Sequence, residues 1–184
     1  MRLGLISDTH ISQTKERLPS EVGEIFKGVD LVLHAGDIYL LSVLDELETI
    51  APVMAVRGNG DMRLAQDPRL KDNIILNLHG IRLGVTHGID YPEPSWRTLE
   101  AAMEYEFGGR VDLLVFGDSH VDLLEVSKGV LLINPGSPTF PRQIKEKGTV
   151  ALLEIDSNGK AKAQIISIST RLASQTLTYQ PDSS

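Results

Sequence analysis

The sequence predicts an α/β fold, and three observations lead to it. Short apolar runs recur along the first two thirds of the chain. Successive residues within each run are apolar, as expected of strands buried on both faces of a sheet. The longer segments between them bear helix start and stop signals. Strand–helix–strand alternation of this kind gives a sheet with helices on its faces.

Taken in order, "RLGLIS" (2–7) reads as the first strand. The segment "PSEVGEIFKG" follows, with Pro19 near the first helical position and Gly28 as its stop. "DLVLHA" (30–35) is the second strand. In "LLSVLDELETI" (40–50), Leu40, Leu41, Leu44, Leu47 and Ile50 fall on one helical face. "PVMAVR" (52–57), "IRLGVTH" (81–87) and "VDLLVF" (111–116) read as further strands. His79 sits in a "HG" turn between "NIILNL" and "IRLGV" and reads as a hairpin residue. "SWRTLEAAMEYEFGG" (95–109) is expected to be a helix capped by Ser95 and stopped by two glycines. The end of the chain differs. "VDLLEVS", "VLLINP", "GTVALLEID" and "KAKAQIISIS" follow one another through turn signals, with no helix between them. They read as antiparallel strands, so the sheet becomes mixed or a second sheet packs on the first. "LASQTLTYQPDSS" has little apolar pattern and reads as a loose tail.

Composition bounds the function. A chain of 184 residues suits one hydrophobic core. A formal charge of −7 gives no basic surplus to replace counterions, so a nucleic-acid polymer is not an expected partner. With no cysteine, any metal must be held by oxygen and imidazole. The opening "MRLGLISDTH" holds too short an apolar run for a signal peptide, and no run approaches the roughly 18 residues of a membrane span. A soluble cytoplasmic protein is expected.

Asp8 and His10 follow the first strand, Asp37 the second and Asn59 the third; His87 ends a later run, and Asp118 and His120 follow "VDLLVF". In an open α/β sheet, ligands bind beyond the carboxyl ends of the strands. These seven side chains should therefore converge. Three carboxylates gathered with three histidines and an amide would repel one another unless divalent cations held them. A single aspartate at a strand end is more often a cap or turn residue; the ordered set is what points to a metal. His34 reads as a packed histidine behind the site. "RGNGD" (57–61) admits two readings: Asn-Gly is a preferred hairpin pair, or Asn59 belongs to the site. The hairpin needs a strand directly after Asp61, and "MRLAQDPRLKDN" supplies none.

The series "SDTH" (7–10), "AGDI" (35–38), "RGNGD" (57–61), "THG" (86–88) and "GDSH" (117–120) resembles the motif series of the calcineurin-like metallophosphoesterases. Its order and spacing are similar to those of the small single-domain bacterial and archaeal phosphodiesterases. The likeness runs through "NPGSP" (134–138) and covers roughly residues 1–168. The retromer scaffold subunit of eukaryotes shares this small fold. The resemblance implies a four-layer arrangement, a two-sheet β-sandwich flanked by helices, over a domain of residues 1–170, with 171–184 as a flexible tail.

It also implies a metal-dependent phosphodiesterase that hydrolyses a small-molecule phosphodiester by attack of a metal-bridging hydroxide. One ion would be held by Asp8, His10, Asp37 and His120. The second would be held by Asp37, Asn59, His87 and Asp118. Asp37 would bridge them, and Asp37, Asn59 and His87 are the candidate catalytic residues. The ions would be Mn²⁺ first, with Fe²⁺, Mg²⁺, Ni²⁺ or Zn²⁺ as alternatives. Oligomeric state is left open, a homo-oligomer included.

Two departures from the family pattern matter. Asp118 stands where the family has histidine, which makes the second site harder and more anionic. Gly60 stands where many members have a histidine that protonates the leaving group, a function worth about 10²–10⁴ in rate. Asp61, which would orient that histidine, is left as a cap for the next segment. Both departures keep a rival open: a metal-binding scaffold of the same fold with weakened turnover. A phosphomonoesterase is the third reading. "GIDYPEPSWR" (88–97), with Tyr91, Trp96 and Arg97, is a candidate wall of the substrate cleft, or Trp96 packs the start of a helix.

Overall fold

The structure is a computed structural model that describes residues 1–14, 16–64, 66–92, 97–144 and 146–181. The elements run β1 (Arg2–Ile6), α1 (Ser20–Ile25), β2 (Leu31–His34), α2 (Leu41–Glu48), β3 (Val53–Val56), β4 (Leu70–Lys71), β5 (Ile74–Leu78), β6 (Ile81–Val85), α3 (Leu99–Phe107), β7 (Leu113–Val115), β8 (Leu123–Ser127), β9 (Val130–Asn134), β10 (Thr149–Ile155), β11 (Ala161–Ser167) and β12 (Ala173–Tyr179). Single 3₁₀ turns occur at Met62–Leu64 and Pro141–Gln143.

The strands form two sheets, as expected. A seven-stranded sheet has the order β12-β11-β10-β1-β2-β3-β4, and a five-stranded sheet has the order β5-β6-β7-β9-β8. Both are mixed. β1, β2, β3 and β4 are mutually parallel, and β10, β11 and β12 continue that sheet antiparallel. β6, β7 and β9 are parallel, with antiparallel β5 and β8 at the edges.

Side-chain alternation explains the layers. Leu3, Leu5, Leu33 and Ala35 from one sheet meet Leu83, Val85, Leu113, Val115, Leu131 and Ile133 from the other in a central apolar core. On the outer face of the larger sheet, Val32, Val53 and Ala55 pack on Val22 and Phe26 near α1 and on Val43, Leu44 and Leu47 of α2. On the outer face of the smaller sheet, Leu114, Phe116 and Leu132 pack on Leu99, Met103 and Phe107 of α3. Two glycines let these helices sit close. A Cβ on Gly4 would lie 3.0 Å from the Phe26 ring, and one on Gly84 would lie 2.8 Å from the Phe107 ring. Among the described residues, no helix is long and apolar enough to cross a membrane.

Two local expectations differ from the structure. Helix α3 is capped by Thr98, whose hydroxyl accepts from Ala101 N at 3.2 Å. Ser95, the expected cap, lies outside the described residues, as does Trp96. Within the expected tail of 171–184, Ala173–Tyr179 is instead a strand, paired antiparallel to β11 along its length. It is an edge strand with mostly exposed side chains, so main-chain pairing rather than an apolar pattern defines it. Tyr179 alone is buried there, and its hydroxyl donates to Gly129 O at 2.9 Å.

Candidate metal centre

The carboxyl ends of β1, β2, β3, β6, β7 and β9 open onto one edge of the sandwich. The larger sheet brings Asp8 and His10 after β1, Asp37 after β2 and Asn59 after β3. The smaller sheet brings His87 after β6 and Asp118 and His120 after β7. All seven expected residues meet there. One ligand atom each from Asp8, His10, Asp37 and His120 lies within 4.8 Å of every other. Asp37 faces both halves of the cluster: Oδ2 is 3.3 Å from His10 Nε2, and Oδ1 is 3.6 Å from His87 Nε2. On the far side, Asp118 Oδ1 lies 3.4 Å from His87 Nε2 and accepts from Asn59 Nδ2 at 3.1 Å. Asp118 therefore points into the cluster, although its side chain is 52% exposed.

The residues fit divalent ions. Asp8 Oδ1, His10 Nε2 and His87 Nε2 are buried, and none has a hydrogen-bond partner. Orphaned polar atoms of this kind are costly unless something else satisfies them. Two histidines are oriented from behind. His87 Nδ1 donates to Ala35 O at 2.8 Å, and His120 Nδ1 donates to Phe140 O at 3.0 Å. With Nδ1–H so engaged, the neutral ring presents its Nε2 lone pair to the centre.

The backbone is strained around the same point. Asp8, His10, Asp37, Tyr39, Asp118 and His120 all have positive φ, between 47° and 71°. Such conformations cost about 1–3 kcal/mol each and persist only where the surroundings impose them. Several contacts do so here. Ser137 Oγ donates to Asp8 O at 2.7 Å, and Asp118 N donates to Asp8 Oδ2 at 3.1 Å. A Cβ on Gly117 would lie 1.9 Å from Ser7 Oγ, and one on Gly36 would lie 2.5 Å from His87 Nδ1. Only glycine lets the two sheets' loops close to this distance.

Asp61 does more than start the next segment, where its carbonyl accepts from Leu64 N at 2.8 Å. Fully buried, it accepts from Ile38 N, Tyr39 N and Gly58 N, each at 2.9 Å, and so ties the Asp37 loop to the Asn59 loop. His34 is a packed histidine, as expected. Its Nδ1 accepts from Gly36 N at 3.1 Å, and Nε2 lies 3.2 Å from Thr9 Oγ1. Complete burial pushes its pKa down to about 3, so it is neutral.

Electrostatics of the metal-free cluster follow from burial and pairing. Burial pushes the Asp8 carboxyl up to about 6. It acts the same way on Asp37, but His10, the Gly60 N–H and His87 outweigh it and bring Asp37 down to about 2. Burial disfavours the His87 cation, yet Asp118, the Ala35 carbonyl, Asp8 and Asp37 together raise its pKa to about 9. His87 in turn holds Asp118 below the usual carboxylate range. A protonated His87 thus supplies the positive charge that this acidic cluster lacks without a metal.

Two cavities flank the cluster. One of about 350 Å³ lies on the Asp118 side, lined by Asn59, His87, Asp118, Arg57 and Arg97 among others. The other, of about 590 Å³, lies beside His10, Tyr39 and Phe140. Of the expected cleft wall, Arg97 lines the smaller cavity. Tyr91 turns away from it, donating to Glu125 Oε1 and packing with the α3 cluster. Three participants escaped the sequence reading: Asp61 as a brace, Ser137 as the anchor of Asp8, and Tyr39. Asp61 and Ser137 had a signal, a polar residue in a glycine-containing motif.

A probable metallophosphoesterase of Methanothermobacter thermautotrophicus is 37% identical over 167 residues, 90% of this chain and 92% of that protein. A phosphodiesterase of Methanocaldococcus jannaschii is 29% identical over 151 residues, covering 74% of this chain and 83% of its own length. In structure, Vps29 of Entamoeba histolytica, solved with Zn²⁺, aligns with a TM-score of 0.76 at 22% identity, over 98% of this chain and 100% of that one. The family model for the calcineurin-like phosphoesterase superfamily domain matches residues 1–158. The chain belongs to that superfamily and is a metal-dependent phosphoesterase.

Proposed function

We propose that the protein hydrolyses a small-molecule phosphodiester at a dinuclear centre, in the cytoplasm, with Mn²⁺ as the preferred ion. In this reading Asp8, His10, Asp37 and His120 hold one ion, and Asp37, Asn59, His87 and Asp118 hold the other. The observation that supports it most is Asp37, whose two oxygens face histidines on opposite sides of the cluster. Asn59 ligates through its amide oxygen in this reading, the amide turning over from its hydrogen bond to Asp118. When bound, the ions supply an acidified water and neutralise charge on the phosphoryl oxygens.

The chain's own residues do the rest. His87 and His120 are held rigid by backbone carbonyls. Asp61 and Ser137 fix the loops that bear Asp37 and Asp8. Arg57, paired with Asp72, and Arg97, beside Asp90 and Glu106, offset part of the acidic lining of the smaller cavity, which lessens the repulsion of an incoming phosphate. Water is consumed, the bond from phosphorus to one alkoxy oxygen breaks, and an alcohol and a phosphomonoester leave.

The test is metal content together with hydrolysis of bis(p-nitrophenyl) phosphate and p-nitrophenyl phosphate, with Mn²⁺ and with a chelator. Mn²⁺-dependent cleavage of the diester supports the proposal. Cleavage of the monoester alone favours a phosphomonoesterase. Bound metal without either activity favours the scaffold with weakened turnover, which Gly60 and Asp118 would explain.

A further inference from the structure

We infer that Tyr39 is a substrate-contacting residue that sets specificity, forming with Phe140 the walls of a subsite for an aromatic arm of the phosphodiester. The inference rests on the hydrolytic reading above. The ring of Tyr39 occupies the space into which a side chain at residue 60 would grow. A Cβ on Gly60 would lie 2.4 Å from Tyr39 Cε2 and 2.7 Å from Cζ. The glycine is thus what lets the ring lie there.

The ring is also held in place. Tyr39 has φ 71°, a conformation that a bulky residue adopts only under constraint, and its N–H donates to Asp61 Oδ1 at 2.9 Å. It packs against His10 at a tilt of 39° with centroids 4.6 Å apart, and His10 in turn packs against Phe140 at 5.7 Å.

Tyr39, His10 and Phe140 line the larger cavity together with Ile11 and two prolines, and charged residues such as Arg17 and Lys147 share the lining. Its volume of about 590 Å³ lies well within the roughly 300–1,000 Å³ typical of small-molecule sites. A phosphoryl group alone would leave most of it empty. Aromatic and proline walls beside a metal cluster suit a planar ring attached to the phosphate, stacked against Tyr39 and Phe140.

Phenylphosphonate and methylphosphonate probe this directly, by calorimetric binding to the Mn²⁺-loaded protein. Wild type should bind the phenyl compound about tenfold more tightly, the equivalent of one good aromatic contact. Tyr39→Ala should bring that ratio close to one while metal content and inorganic-phosphate binding stay as in wild type. Tyr39→Phe should keep the ratio. Gly60→Ala, which displaces the ring, should lower it as Tyr39→Ala does. An unchanged ratio in Tyr39→Ala would overturn the inference. So would equal weakening of both phosphonates, or loss of metal in that variant, because either would make Tyr39 only a support for His10. The binding ratio is read without turnover, so absence of diester hydrolysis would count against the hydrolytic reading and leave the subsite measurable.

Discussion

Asn59 and Asp118 meet across the seam between the two sheets, the amide Nδ2 donating to the carboxylate Oδ1 at 3.1 Å. They are 59 residues apart in sequence and arrive from β3 and β7. An aspartate at position 118 is thus turned toward the cluster, where it supplies negative charge that a histidine would not.

Asp118→His should shift metal preference toward borderline ions such as Zn²⁺, because imidazole suits them better than carboxylate does. It should also tighten inorganic phosphate as an inhibitor, the centre having one more net positive charge. Metal titration of both proteins with Mn²⁺ and Zn²⁺ checks this. Unchanged stoichiometry, preference and inhibition would remove Asp118 from the ligand set.

Asp37→Asn should cut metal affinity by at least about 100-fold, beyond the effect typical of outer-shell partners. Diester hydrolysis should be abolished, and the thermal transition of the chelated protein should move little, since no core volume changes. A variant with wild-type turnover would show that Asp37 does not join the two halves of the site.

The free protein should become less stable as pH rises. His87 has its pKa raised from 6.5 to about 9 in the fold. The folded state therefore binds more protons than the unfolded one in that window. The contribution is fully present below 6.5 and is lost as pH rises through 9, on the order of 2–3 kcal/mol. Urea unfolding in the presence of a chelator at several pH values measures it, and His87→Gln should flatten the slope. With His87 as a ligand, metal binding displaces the same proton, so metal affinity should climb with pH over this window.

Gly60→His should destabilise the protein by about 1–3 kcal/mol, the usual cost of overpacking, because its Cβ meets the Tyr39 ring. Combined with Tyr39→Ala, the same histidine should fit, and it should accelerate cleavage of diesters with poor alkyl leaving groups. Rates for a series of leaving groups separate the cases. Equal stability of the single and double variants would mean that the ring moves aside at no cost.

Ending the chain at Thr170 should not be silent. It removes β12 together with its one buried side chain, Tyr179, and opens the edge of β11. The loss of that burial and pairing should cost a few kcal/mol, and the bare edge should promote self-association. Thermal unfolding and light scattering of the shortened chain read both effects.

Much of this molecule was legible in its sequence because its parallel strands are buried on both faces, and such strands show themselves as apolar runs. The seven clustered residues were legible for a related reason: each follows or ends one of those runs. What escaped depends on partners distant in sequence. β12 is polar and is defined by hydrogen bonds to β11. The role of Asp61 depends on Ile38 and Tyr39 N–H groups 23 and 22 residues away. Tyr39 drew no notice because nothing local says that the space beside it belongs to residue 60.

The candidate ligands divide four to three between the sheets, and this gives a bound ion a mechanical part to play. It would act as a rivet through the sandwich, joining the loops after β1, β2 and β3 to those after β6 and β7. Resistance to unfolding would then grow with the logarithm of free metal concentration above its dissociation constant, even for an ion that supports no turnover. A protein of this design would sense metal scarcity first as loosening along the seam, before any change at the outer helices.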